Sequence, residues 1–129
     1  MSLQDRLPGT YRLVAMETRT TSGQVSRPMG ERPTGMFMFD GSNFCVQLAA
    51  TDRSASDRPV VAMFGTYEVD EVAWIFVLTV EGAVDSSLIG TRIVRRVALD
   101  GDLAVFTTPP TVVDGVEATT MITWRRVSG

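Results

Sequence analysis

Three polar residues interrupt segments that are otherwise apolar, and they are the ones that could do chemistry. Glu17 ends an alternating segment that begins at Gly9; partly desolvated, its carboxylate would gain a raised pKa suited to proton transfer. Tyr67 could offer a phenolic hydrogen bond from inside a sheet. Arg95 alternates with Ile93, Val97 and Leu99, and a guanidinium among apolar neighbours needs a partner. That partner would be Glu17, Glu81, or a carboxylate or enolate carried by a ligand. Each residue also has a plainer reading: Glu17 as a solvated strand end, Tyr67 as a core tyrosine with its hydroxyl satisfied, Arg95 as half of an internal ion pair.

Other chemistries are poorly represented. The 129 residues include no histidine and one cysteine, which removes histidine-based triads, His or Cys zinc sites and internal disulfides together. Cys45 alternates with apolar neighbours and reads as a buried packing residue rather than a nucleophile. No acidic loop has calcium-ligand spacing, and neither a phosphate-binding glycine loop nor Gly-x-Ser-x-Gly occurs, so no cofactor and no metal is expected. The net charge is −3 and all twelve basic residues are arginines without a basic stripe, which argues against a nucleic-acid partner. No apolar run reaches the roughly 20 residues of a membrane-spanning helix, so no membrane partner is expected. The first residues lack a signal-peptide layout, and a cytoplasmic location is the expectation.

These residues must be positioned by strands. Alternation over 9–17 predicts the first strand, and Gly35–Phe39, Asn43–Ala50, Val60–Val69, Val72–Val80, Thr91–Leu99, Leu103–Thr107 and Glu117–Val127 follow. A short helical turn before Gly9 is the only helical signal. Tight turns at Asp40, Asp70 and Asp100 alternate with longer connections after Glu17, Ala50, Val80 and Thr107. The loops predicted are 18–33, 51–59, 81–87 and 108–115, with Pro109-Pro110 barring a central strand from the last. In an up-and-down meander of about eight strands, the short turns then gather at one end and the long loops at the other. The fold expected is all-β: one domain, 1–129, a closed antiparallel barrel with a trimmed floor and a loop-rich mouth. Gly9-Thr10-Tyr11 recurs as Gly65-Thr66-Tyr67, a match too short to carry an internal repeat.

The chain resembles the lipocalin-like domain family, small bacterial and fungal members of the calycin group. The resemblance runs through Leu7-x-Gly9-Thr10-Tyr11-Arg12-Leu13-Val14, Pro33-x-Gly35 with Phe39-Asp40-Gly41, and Phe64-Gly65-Thr66-Tyr67-Glu68-Val69. It continues through Gly90-Thr91 with Arg95, Gly101-Asp102-Leu103, Thr108-Pro109-Pro110 and Trp124-x-Arg126-Val127. Two features depart from it: Tyr11 stands where tryptophan is usual, and the strand carrying Trp74-Ile75-Phe76 lacks a histidine that relatives often have. The resemblance implies a barrel around a small apolar molecule, with some relatives binding ligands and others acting as cyclases or isomerases.

The family's inward aromatic implies that Tyr11 points inward, and parity then carries Leu13, Ala15 and Glu17 in with it. The expected cavity walls are Met36, Met38, Met63, Trp74, Phe76, Leu78, Phe106 and Met121, with Arg95 as the polar anchor and Leu48 near the mouth. Seven methionines suit a cavity that adapts to a foreign shape, or simply fill a core. Tyr11 and Arg126 are expected at the floor, the guanidinium over the ring, in a structural role. The function expected is binding of a small hydrophobic or weakly acidic molecule. The alternative is a cofactor-independent cyclase or isomerase acting on a polyketide- or terpenoid-like substrate, with Glu17 and Tyr67 exchanging protons. A filled barrel serving as an interaction module is the third reading, and a homodimer is left open.

Overall fold

The computed structural model describes residues 2–51, 60–113 and 115–129. A short helix, α1 (Leu3–Arg6), precedes ten strands. They are β1 (Gly9–Thr20), β2 (Val25–Ser26), β3 (Thr34–Phe39), β4 (Asn43–Ala49), β5 (Val60–Asp70), β6 (Ile75–Ala83), β7 (Arg92–Asp100), β8 (Leu103–Thr107), β9 (Thr111–Val113) and β10 (Val116–Ser128). Eight of them form a closed antiparallel barrel, in which β1 runs on to β3 and so on to β8 and β10, and β10 pairs back onto β1. The short β2 and β9 extend β1 and β10 beyond the barrel proper. Closure removes every exposed edge from the main sheet. The all-β, up-and-down barrel expected from the alternation is the fold found.

Local chemistry explains the short turns. Asp40 Oδ1 accepts from Ser42 N at 2.9 Å and Asn43 N at 2.7 Å, which reverses β3 into β4. Those bonds hold the Asp40 carboxyl below its ordinary pKa, the Asn43 backbone N–H contributing most. Asp70 Oδ1 plays the same part with Val72 N and Ala73 N, at 2.9 and 3.0 Å. That turn runs further than the sequence predicts: β6 starts at Ile75, and Trp74 takes a left-handed φ of 52°, a costly conformation for a bulky side chain. Its ring lies under Arg6, with the guanidinium carbon 5.4 Å from the ring centroid.

The floor is sealed by α1 and by the chain ends. Leu3 and Leu7 are fully buried beneath the barrel. Glu71, from the β5–β6 turn, accepts from Leu3 N at 2.7 Å and Gln4 N at 2.9 Å, satisfying amides that a helix start leaves unpaired. The Tyr11 hydroxyl donates to Leu7 O at 2.7 Å and accepts from Arg126 Nη2 at 2.7 Å. The same guanidinium lies 5.1 Å from the Tyr11 ring centroid and reaches Pro8 O, Arg6 O and Gly129 O. Arg126 over Tyr11 at the floor is therefore the arrangement the sequence suggests. Burial raises the Tyr11 pKa above its ordinary value, and the charge and hydrogen bond of Arg126 oppose that rise.

Two bulges set which side chains face inward. On β1, Leu13 pairs with Trp124 and Ala15 with Thr123, so Val14 has no partner on β10. The extra residue inverts parity from that point. Tyr11 and Leu13 face the interior below the bulge, whereas Met16 and Thr18 face it above. On β6, Glu81 is unpaired between Val80, opposite Gly65, and Gly82, opposite Phe64. Gly65 is required there because a Cβ would stand 1.9 Å from Thr79 O.

The core is aromatic in its lower half. Phe37 and Phe39 stack at 4.3 Å, and Phe76 meets Phe106 edge-on at 4.9 Å. Two loop expectations change. β1 continues to Thr20 and turns back through β2, so the 18–33 segment is only partly irregular. β9 forms just after Pro109-Pro110 and pairs with β10 outside the central barrel. The loop predicted over 51–59 lies, from residue 52 on, outside the described residues. Among the described residues, no helix is long and apolar enough to cross a membrane.

Candidate functional site

The upper half of the barrel encloses a cavity of about 230 Å³. Phe37, Val46 and Leu48 from β3 and β4 form one wall, with Val61 and Met63 from β5 beside them. Phe76, Leu78, Ile93 and Arg95 come from β6 and β7, and Phe106, Ile122 and Trp124 from β8 and β10. Met16 closes the ring from β1, and Leu88, in a single 3₁₀ turn (Ser86–Leu88), hangs over the mouth side. Asp85 caps that turn by accepting from Ser87 N at 3.0 Å. The lining is hydrocarbon and aromatic except for one charge. A larger hollow of about 350 Å³ lies on the outside of the barrel, over Arg12, Met36, Met38, Cys45 and Gln47. It is an open trough on the outer wall, without the enclosure of the interior cavity.

Arg95 supplies the charge. It is half-buried, and its one hydrogen bond is from Nη1 to the neighbouring Val94 carbonyl at 2.8 Å. No carboxylate pairs with it among the described residues. Glu17 instead meets Arg19 at 3.4 Å and Arg27 at 3.5 Å on the outside. Desolvation by the surrounding wall pulls the Arg95 pKa below its ordinary value, with no opposing interaction. Its charge is thus partly stripped of water, with no compensating anion among the described residues.

The expected site residues divide cleanly by position. Arg95, Met63, Phe76, Leu78 and Phe106 line the cavity. Met36 and Met38 do not, because β3 is apolar on both faces and it is Phe37 and Phe39 that turn inward; Met38 is 40% exposed. Met121 is likewise on the outer wall, 39% exposed and opposite Glu17, while Ile122 and Trp124 take the interior. Trp74 sits in the floor turn, away from the cavity lining. Glu17 faces outward because the Val14 bulge inverts the parity that would have brought it in. Tyr67 does face the interior, but at the floor, where its hydroxyl accepts from Gly41 N at 2.8 Å. Burial raises its pKa, against the hydrogen bond from Gly41. Cys45 is on the outer wall and half-buried, rather than in the core.

Besides Phe37 and Ile122, three lining residues escape a parity reading for identifiable reasons. Met16 requires the bulge, Leu88 belongs to a loop, and Trp124 resembles a closing-strand aromatic until the cavity is seen to reach it. Among the described residues, no group of three or more His, Cys, Asp or Glu side chains could hold a metal ion.

A closed up-and-down barrel with an apolar interior cavity is a ligand-binding fold. Residues 8–59 match the model of the lipocalin-like domain family, so the lipocalin-like resemblance holds over the part of the chain that includes β1, β3 and β4. Searches of curated proteins and of solved structures give no match.

Proposed function

We propose that the barrel binds a small, largely apolar, weakly acidic molecule in its interior, with Arg95 holding the acidic group. The observation that carries this reading is an unpaired, desolvated guanidinium on the wall of an otherwise apolar cavity. The volume supports a ligand smaller than a typical drug, since pockets for those run about 300–1,000 Å³. At somewhat less than the ~30 Å³ share of a water per atom, the enclosed part takes roughly a dozen non-hydrogen atoms. A cyclase or isomerase would need a proton-transfer group on this wall; Glu17 faces outward and Tyr67, though interior, lies at the floor outside the lining.

The test is Arg95→Met, which keeps an apolar side chain of similar length. Binding of phenylacetic-type acids and of their neutral methyl esters is measured by calorimetry on both proteins. A hydrogen bond to a charged group contributes about 1.5–3 kcal/mol, so the acid should lose roughly ten- to a hundredfold in affinity and the ester little. Equal losses for acid and ester would remove Arg95 from the anchoring role.

A further inference from the structure

One stretch of the outer wall is apolar where an antiparallel sheet facing water is ordinarily polar. Met36 and Met38 on β3, Cys45 and Gln47 on β4, and Ala62 and Phe64 on β5 stand side by side there. Met38 pairs with Cys45 and Cys45 with Phe64, while Met36 pairs with Gln47 and Gln47 with Ala62. None of these side chains is charged, whereas β7 sets Arg92 and Arg96 on the outside and β1 sets Glu17 and Arg19 there. Phe64 is 55% exposed and Met38 40%. Two hollows flank β4 and share Cys45 and Gln47: the trough of about 350 Å³ over Arg12, Met36 and Met38, and one of about 330 Å³ over Ala62, Phe64 and Gly82. The Phe64 ring stands at the second hollow as a knob, lying across Gly82, where a Cβ would come within 2.3 Å of it.

A two-fold axis running along β4 makes this face complementary to itself. Such an axis exchanges β3 with β5, because each lies one strand from β4. Phe64 of one copy then comes level with the partner's Met38, since both are in register with Cys45. It enters the partner's trough, where thioethers and the Arg12 guanidinium favour an aromatic ring. The charges match as well. Arg12 on β1 and Glu81 on β6 lie two strands from β4 on opposite sides, both exposed and without an ion pair among the described residues. The same axis turns each Arg12 toward the partner's Glu81, giving an uncharged centre with opposite charges at its rim. Size sets the strength. β4 has seven residues, about 23 Å of strand, and three strands are about 14 Å across, so the face covers roughly 320 Å² in projection. With the reach of the Arg12 and Glu81 side chains it comes to about 500–600 Å² per copy, against about 800 Å² for a stable dimer. The area decides for a weak, reversible dimer over an obligate one.

We propose that the protein pairs with a second copy of itself through the outer face of β3, β4 and β5, Phe64 of each copy seated in the trough of the other. A second copy fits better than an unrelated protein because knob, hollow and both charges sit on one face and are exchanged by one rotation. With the axis along β4, the two mouths open in the same direction and both interiors stay accessible. The pairing is independent of what the interior holds.

Analytical ultracentrifugation of the full chain tests this, over concentrations spanning the roughly 10–100 µM dissociation constant expected of so small an interface. The average mass should rise from 14.1 kDa toward twice that value. Met38→Glu buries an unpaired carboxylate in the pairing face and should weaken association about tenfold or more. Arg12→Glu should also weaken it, and adding Glu81→Arg should restore it, a rescue that a merely sticky patch would not show. On the unaltered protein, Cys45 lies on the axis, so its alkylation by a maleimide should slow as the dimer forms. A mass that stays at 14.1 kDa throughout would leave the face to a different protein or a small apolar molecule and overturn the proposal. A dimer that Met38→Glu leaves intact, with Cys45 alkylated at an unchanged rate, would overturn the assignment to this face. Should Met38→Glu not fold, the Cys45 rate on the unaltered protein decides alone.

Discussion

Removing one oxygen from the floor should cost more stability than any comparable change elsewhere in the barrel. In Tyr11→Phe the ring remains, with its edge-on contacts to Phe39 and Phe106 and its place beneath the Arg126 guanidinium. Two hydrogen bonds disappear: the hydroxyl's donation to Leu7 O and its acceptance from Arg126 Nη2, each 2.7 Å long. A neutral hydrogen bond contributes about 1 kcal/mol and one to a charged group about 1.5–3 kcal/mol. Arg126 keeps carbonyl acceptors at Pro8 and Arg6, which favours the lower part of that range. The expected loss is about 2–3 kcal/mol. With an unfolding entropy of about 2.1 cal/mol/K per residue, that lowers Tm by roughly 7–11 °C. Tyr67→Phe provides the internal scale, since it removes only the neutral bond from Gly41 N, worth about 1 kcal/mol or roughly 4 °C. Urea and thermal unfolding followed by tryptophan fluorescence would measure both. Neither ring lines the cavity, so ligand affinity should stay within about twofold in each variant. If Tyr11→Phe proves no more destabilising than Tyr67→Phe, the floor is not held by the Tyr11–Arg126 pair, and the argument for it fails.

Three further outcomes follow from the same structure. Glu17→Gln should leave probe binding within about twofold and change stability by less than about 1 kcal/mol, because its partners are exposed arginines on the outer wall; a tenfold loss of affinity in calorimetry would return Glu17 to the cavity. Gly65→Ala should cost about 3 kcal/mol or more in urea unfolding, since its Cβ would press on the Thr79 carbonyl, and a near-neutral effect would contradict the register at the Glu81 bulge. Both phenols have pKa values raised by burial, so they contribute stability that is fully present below the unfolded value near pH 10 and is lost as pH rises through the folded values. Ultraviolet titration of the folded protein should therefore show both tyrosinates forming above pH 10, and release of either proton at about pH 10 would contradict the burial described.

The barrel was legible in the sequence because its signals are local. Asp40 and Asp70 reverse the chain through their own side chains, and alternation between the turns needs no knowledge of distant residues. Closure was legible from the aromatic at one end of the chain and the arginine at the other. The interior was less so, for two physical reasons. In β3, methionine and phenylalanine alternate, so both faces are apolar and parity has nothing to choose between Met36 or Met38 and Phe37 or Phe39. In β1, alternation alone cannot reveal that Val14 is unpaired, and that single residue exchanges Glu17 for Met16 at the cavity wall. Arg95 was legible because a charge sharing a strand face with Ile93, Val97 and Leu99 must be explained by something. Trp124 was not, because its place in the cavity lining depends on residues of other strands.

The tie between the chain ends and the floor has a practical side. β1 and β10 finish side by side, with Thr10 opposite Ser128 and the Arg126 guanidinium reaching both Pro8 and Gly129. A fusion partner, tag or surface linkage at either end would therefore grip the barrel by its base and leave the cavity opening directed away. The same adjacency lets a short linker join the two ends, so the protein could be re-cut at a mouth loop into a circular permutant whose new ends frame the opening. A reporter split across those ends would stand where an entering ligand must pass.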